Sequence, residues 1–313
     1  MKAVITGGAG FIGSHLARQL LEQKEEVISV DNFTLGNSSN VKDLKDKNRF
    51  KLIEMDVSDK DEFCKLITTE SPDVIYHLAA NSDIQKSASC PGIDFKNTFS
   101  TTYSVLEAMR EAGVQRMFFA STSAVYGNKV GIELKENEGG LAPISYYGGA
   151  KLASEAFISA YAYMNGLDVT VFRFPNVIGP NLTHGVIFDF VTKLRKNPKK
   201  LEILGDGTQE KPYIYVEDLV EAILFAVGSE EKGMNIYNIG VEGKTSVRRI
   251  ADMVCNSMGL GDVEYFFTGG HVGWKGDVPS FQYNLDKIHQ KGWKAHHTSD
   301  ESVQATLDSL GLK

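Results

Sequence analysis

Thr6-Gly7-Gly8-Ala9-Gly10-Phe11-Ile12-Gly13 (TGGAGFIG), close to the start of a 313-residue chain, is the stretch that decides the fold. Gly8, Gly10 and Gly13 satisfy G-x-G-x-x-G, and Gly7, Gly10 and Gly13 satisfy the variant G-x-x-G-x-x-G. Before it lies an apolar run of strand length, Lys2–Thr6. After it, Phe11, Ile12, His15, Leu16 and Leu20 recur at helical spacing over Phe11–Gln23. A glycine turn between strand and helix lets backbone N–H groups approach a pyrophosphate at the helix N-terminus, so Gly7, Gly10, Phe11, Ile12 and Gly13 are candidate cofactor contacts. The motif needs an acid about 20 residues on. Asp31 supplies it, closing the second strand beside Asn32. Its carboxylate would accept hydrogen bonds from ribose hydroxyls and repel a 2′-phosphate, which predicts NAD in preference to NADP.

Further strands are expected at Glu26–Val30, Phe50–Glu54, Asp73–His77, Arg116–Ala120 and Val169–Phe174, with long helices at Asp94–Ala112 and Tyr147–Met164. Strands alternating with helices predict an α/β fold with a doubly wound parallel (Rossmann) sheet. Asp56-Val57 and Leu78-Ala79-Ala80 follow the third and fourth strands, where a dinucleotide would lie. After Pro175 loops lengthen, and helices are expected at Ile187–Lys196, Glu217–Val227, Ser246–Met258 and Glu301–Leu310. The expectation is a Rossmann domain over 1–175 and a smaller C-terminal α/β lobe over 176–313, with the chain crossing between them more than once.

Composition narrows the function. A formal charge of −7 and a pI near 5.6 argue against a nucleic-acid surface. Three unpatterned cysteines (Cys64, Cys90, Cys255) read as reduced thiols of a cytoplasmic protein. A first strand at Lys2–Thr6 leaves no room for a signal peptide, and no apolar run reaches the ~18 residues of a membrane span. His296-His297 is read as surface, without metal, because adjacent side chains point apart. The basic run Lys193–Lys200 is read as a solvated helix end closed by Pro198.

Tyr147-Gly148-Gly149-Ala150-Lys151 places a phenol and an amine on one helix face. An ammonium beside a phenol favours the phenolate, so Tyr147 is expected to titrate below its usual ~10 and act as a base. Ser121-Thr122-Ser123-Ala124 follows the fifth strand, at the carboxyl edge where parallel α/β sheets bind ligands. Position alone does not choose among its hydroxyls.

TGGAGFIGSH at Thr6–His15, Val30-Asp31-Asn32, YHLAA at Tyr76–Ala80, STSAVYG at Ser121–Gly127, ISYYGGAK at Ile144–Lys151, NVIGP at Asn176–Pro180, GDGTQ, YVEDL and GDVP occur in one order. Along nearly its whole length the chain resembles the nucleotide-sugar epimerase/dehydratase family of extended short-chain dehydrogenases/reductases. The resemblance implies Thr122 bridging the sugar, Tyr147 as base and Lys151 on the nicotinamide ribose. It also places Asn97 and Ser123 in the substrate site, Asn176 at the diphosphate, and Val186, Lys211, Tyr213 and Asp277 at the nucleotide. Dehydratases of the family carry Asp-Glu after the catalytic threonine, and uronate decarboxylases keep a glutamate at the second position. Here the pair is Ser123-Ala124. That implies a 4-epimerase of a UDP-sugar, gluco and galacto forms first. The alternatives are a UDP-N-acetylglucosamine 4-epimerase, another nucleotide-sugar reductase or dehydratase, and a non-catalytic NAD-binding protein.

The chain departs from the family at its diphosphate clamp. Two arginines are replaced by Lys211 and Val272, with Lys275 or His271 as candidate substitutes. Phe281 matches the position that gates the sugar's C2 substituent. Homodimerisation is expected through Phe99, Tyr103, Leu106 and Met109 on one helix with Phe157 and Tyr161 on another.

Overall fold

The computed structural model describes residues 1–129, 131–228, 231–274 and 276–312. Two compact units share the chain. One comprises Met1–Val125, Leu141–Arg173 and Ile223–Tyr237; the other Tyr126–Gly140, Phe174–Ala222 and Asn238–Lys313. The division is therefore not a single point near residue 175.

The first unit is built on a seven-stranded sheet. Its strands are β1 (Lys2–Thr6), β2 (Glu26–Asp31), β3 (Phe50–Glu54), β4 (Val74–His77), β5 (Arg116–Thr122), β6 (Asp168–Phe174) and β7 (Met234–Asn238), in the order β7-β6-β5-β4-β1-β2-β3. β1 pairs in parallel with β2 and β4, β2 with β3, and β4 with β5. This is the expected doubly wound fold. Alternate strand residues Val4, Ile28, Val30, Ile75, Met117, Phe119, Val169 and Val171 form one core with Phe63, Ile67, Val105, Leu106, Met109 and Ile158, from helices Lys60–Glu70, Thr101–Ala112 and Tyr146–Asn165. On the opposite face Tyr76, Phe118, Phe172 and Tyr237 touch ring to ring across β4 to β7. With both faces covered, these strands read as continuous apolar runs.

The sequence reading missed β7. It also drew Asp94–Ala112 as one regular helix, where a π-helical turn, Phe95–Ser100, precedes Thr101–Ala112. The wider turn changes which residues face inward. Thr98 is buried, its hydroxyl accepting from Asn81 N, whereas Asn97 is half-buried. Leu106 and Met109, expected on a partner-facing stripe, lie in the core instead. The exposed apolar face is carried by Phe95, Tyr103, Phe157, Tyr163 and Met164.

The second unit has a separate core around helices Val186–Lys196, Val247–Ser257 and Ser299–Ser309, including Phe190, Leu201, Ile203, Tyr213, Val254 and Leu307. Short strand pairs brace it. Asn176–Ile178 runs parallel to Tyr213–Tyr215 with Asn176 opposite Tyr213. Among the described residues, no helix is long and apolar enough to cross a membrane, and no cluster of His, Cys, Asp or Glu could hold a metal ion.

Candidate active site

The glycine turn is set by close approach. Gly7 has φ +71°, and a Cβ there would stand 2.9 Å from the Ala79 backbone nitrogen. A Cβ at Gly13 would stand 2.3 Å from the Gly7 carbonyl oxygen. Only glycine lets the first helical turn sit on the loop, and the loop on Leu78-Ala79-Ala80, all three half-buried. The helix Phe11–Glu22 starts at Gly10 with no side-chain cap and no acid in its first turn. An uncapped helix N-terminus behind a glycine turn fits the pyrophosphate of a dinucleotide.

Asp31 is buried at the end of β2, accepting from Ala9 N (3.0 Å) and Phe33 N (2.8 Å). Burial raises its pKa against those backbone hydrogen bonds. Asn32 is exposed and accepts from Thr34 N. Asp56 accepts from Ser58 and from Lys96 Nζ at 3.1 Å, and Val57 is buried. The first unit thus presents the glycine turn, Asp31, Asp56-Val57 and Leu78–Ala80 at the carboxyl ends of consecutive strands.

Thr122 ends β5, its Oγ1 accepting from Ala124 N (3.2 Å), and the Tyr147 hydroxyl hydrogen-bonds to Thr122. Ser123 is half-buried in the 3-10 turn that follows. Ser145 caps the helix Tyr146–Asn165 by accepting from Gly148 N, which fixes its register. Tyr146 is 54% exposed, whereas Tyr147 turns inward. Lys151, 2% exposed, donates to the Ala120 carbonyl at 2.6 Å and lies 4.7 Å from the centroid of the Phe119 ring.

The titration of the pair departs from expectation. Burial pushes Tyr147 up to about 12, with the Thr122 hydrogen bond pulling the other way. Burial draws Lys151 down to about 7, against Glu155 and Asp94, which raise it. The low-dielectric surroundings disfavour phenolate and ammonium alike.

Beneath this pair lies a polar network the sequence reading did not find. His77, fully buried with its pKa pulled down to about 3 by burial, is bonded through Nδ1 to Thr6 Oγ1 (2.7 Å) and through Nε2 to Thr102 Oγ1 (3.0 Å). Ser154 Oγ contacts the same Thr102 hydroxyl (3.1 Å). Asn81 donates to Asp94 Oδ1 at 2.8 Å. Glu155 forms a two-point ion pair with Arg173 and accepts from Ser121 Oγ. The one available signal was spacing: Glu155 stands four residues beyond Lys151, as Lys151 stands beyond Tyr147.

In the second unit four of the candidates form two linked pairs. The Tyr213 hydroxyl hydrogen-bonds Asn176, across the strand pair that aligns them. Lys211 is ion-paired with Asp277, and its Nζ lies 5.2 Å from the centroid of the Trp274 ring. Lys211 therefore arrives with its charge already countered. His271, almost fully exposed, is bonded to Asp206 (2.8 Å), and Val272 is exposed. Lys275 lies outside the described residues. Val186 opens its helix half-buried, and Phe281 is buried edge-on against Tyr283. His297, read as surface, instead holds Asp218 through both its backbone N and Nδ1, while His296 is exposed and bonded to Glu221.

Residues 3–240 match the model of the NAD dependent epimerase/dehydratase family, and the chain belongs to that family. Its cofactor is NAD. A Methanocaldococcus jannaschii protein described provisionally as a UDP-glucose 4-epimerase is 31% identical over 97% of both chains. The dTDP-D-glucose 4,6-dehydratase of Mus musculus is 30% identical over 98% of this chain and 88% of its own. A solved UDP-galactose 4-epimerase superposes with a TM-score of 0.87 at 36% identity, covering 99% of this chain and 98% of its own.

Proposed function

We propose that the protein is a 4-epimerase of a UDP-sugar, interconverting gluco and galacto forms. The observation that carries this reading is the Thr122–Tyr147–Lys151 group followed by Ser123-Ala124. Loss of water from C6 needs an acid beside the sugar to protonate the leaving hydroxyl. The turn Ser123–Tyr126 after Thr122 carries no carboxylate. Epimerases and dehydratases are similarly related to the chain, so overall identity does not choose between them.

When bound, NAD supplies a hydride acceptor at C4 and a positive nicotinamide charge. The residues do the rest. Tyr147 Oη takes the 4-hydroxyl proton, with Thr122 as the bridging hydroxyl. Lys151 supplies positive charge beside the phenol and holds the ribose. The resulting 4-keto sugar turns over, and Tyr147 returns the proton as C4 is reduced on its other face. Asp31, Asn32, Asp56, Val57, Leu78, Ala79, Ala80 and the glycine turn hold the cofactor. For the nucleotide sugar this reading assigns Asn97 and Ser123 in the first unit, and Asn176, Val186, Lys211, Tyr213, Asp277 and Phe281 in the second. The same reading makes the enzyme cytoplasmic and homodimeric. The dimer face is the strip in which Phe95 meets Phe99 (5.9 Å) and Phe99 meets Phe157 (5.0 Å).

The test is a panel of nucleotide sugars incubated with NAD-loaded protein and followed by NMR. Expected is interconversion of UDP-glucose and UDP-galactose without net change at 340 nm. A 4-keto-6-deoxy product would overturn the reading.

A further inference from the structure

Glu155 and Arg173 carry opposite charges in the interior of the first unit, at 4% and 3% exposure. Arg173 Nε and Nη2 donate to the two carboxylate oxygens at 3.0 and 2.6 Å. Ser121 Oγ donates to Glu155 Oε1 as well. A buried ion pair is weak evidence for stability, because apolar residues of the same volume often do as well or better. Its location is more informative. Ser121 stands in β5 between Ala120, whose carbonyl takes Lys151 Nζ, and Thr122, which bonds Tyr147. Tyr147, Lys151 and Glu155 follow at four-residue intervals and so share one helix face. Helix and strand are thus tied at three consecutive strand residues, and the middle tie is the charged one.

We propose that Glu155, held by Arg173, is a positioning residue for the Tyr147–Lys151 pair: by fixing Ser121 it sets Ala120 and Thr122 opposite Lys151 and Tyr147. Its negative charge acts in the same direction. Burial disfavours the Lys151 ammonium, and Glu155 is the foremost group favouring it. Apart from the geometry, the inference rests on the proposed proton chemistry of Tyr147.

The experiment compares wild type, Glu155→Gln and Ser121→Ala, all loaded with NAD. Lys151 is titrated through its 13Cε NMR signal, assigned with Lys151→Met, and kcat and KM are measured against pH. In Glu155→Gln the Lys151 midpoint falls by roughly one pH unit or more, and the alkaline limb of kcat moves down with it. Its best kcat falls about ten- to a hundredfold with KM nearly unchanged, as a misplaced catalytic pair requires. Ser121→Ala keeps the ion pair and loses only the tie, so kcat falls about three- to tenfold while the Lys151 midpoint stays. An unmoved midpoint in Glu155→Gln, or full kcat in Ser121→Ala, overturns the proposal. Should Glu155→Gln not fold, Ser121→Ala decides alone. Should wild type convert no nucleotide sugar, the proposed function fails and the Lys151 titration still decides the role of Glu155.

Discussion

A single methyl group at Gly13 is expected to disable the cofactor turn. In Gly13→Ala the new Cβ would lie 2.3 Å from the Gly7 oxygen and 2.8 Å from the Gly8 Cα. Ordinary contacts begin near 3.4 Å, so the helix or the turn must yield by about an ångström against backbone atoms that no side-chain rotation relieves. Overpacking of this kind costs about 1–3 kcal/mol. For a chain of this size that is a Tm loss of about 2–4 °C per kcal/mol. The displaced atoms are those proposed to face the pyrophosphate, so NAD affinity should fall at least about tenfold, or ~1.4 kcal/mol. Urea unfolding and calorimetric NAD titration measure the two effects separately. Gly149→Ala is the internal control. It lies inside the helix Tyr146–Asn165, a Cβ there meets nothing within 4 Å, and replacement should stabilise by about 0.5–1 kcal/mol. Wild-type stability and NAD affinity in Gly13→Ala would refute the steric argument.

Other expectations follow from the same geometry. Asp31→Ala should weaken NAD binding and relax its preference over NADP; equal wild-type affinity for both would remove the role given to the carboxylate. Tyr147→Phe should retain NAD and lose about 10²–10⁴-fold in turnover, while the exposed Tyr146→Phe stays active; the reverse result would mean the wrong tyrosine was chosen. Lys211→Met should raise KM for the nucleotide sugar and lower stability by about 3–5 kcal/mol, because it strands the buried Asp277; a raised KM with unchanged stability would show that the ion pair is not structural. Lys151 titrates near 7 folded against a usual 10.5, so its stability contribution is present above 10.5 and is lost as pH falls through 7. Wild type should therefore gain on Lys151→Met as pH rises across that window in urea unfolding, and a constant difference would contradict the depressed pKa.

Much of the fold was legible because its signals are local. The glycine turn, Asp31 and the buried strands each declare themselves within a few residues, and β1 and β3 have the expected limits. Other features depend on tertiary context. The strand β7 follows a stretch that reads as part of the second lobe, and only its pairing beside β6 reveals it. Leu106 and Met109 were expected outside from the family resemblance, and it is packing against the sheet, which spacing does not report, that takes them into the core while Tyr103 of the same helix stays exposed. Arg173 shows no pairing in sequence, since its partner lies eighteen residues away on another element. The direction of the Tyr147 pKa was misread for a related reason: spacing reports a neighbouring charge but not the burial that opposes it.

The interleaving of the two units also governs how the protein can be made. The sheet of the first unit needs the segment Ile223–Tyr237, which carries most of β7, so it is completed only about 60 residues after β6 (Asp168–Phe174) has been synthesised. At ordinary elongation rates of about 5–20 residues per second, that leaves β6 an open edge for about three to thirteen seconds. An unpaired edge strand is a template for association between nascent chains. Expressing residues 1–175 alone would make that interval permanent. A soluble fragment should instead carry the Ile223–Tyr237 segment, grafted behind β6 through a designed linker.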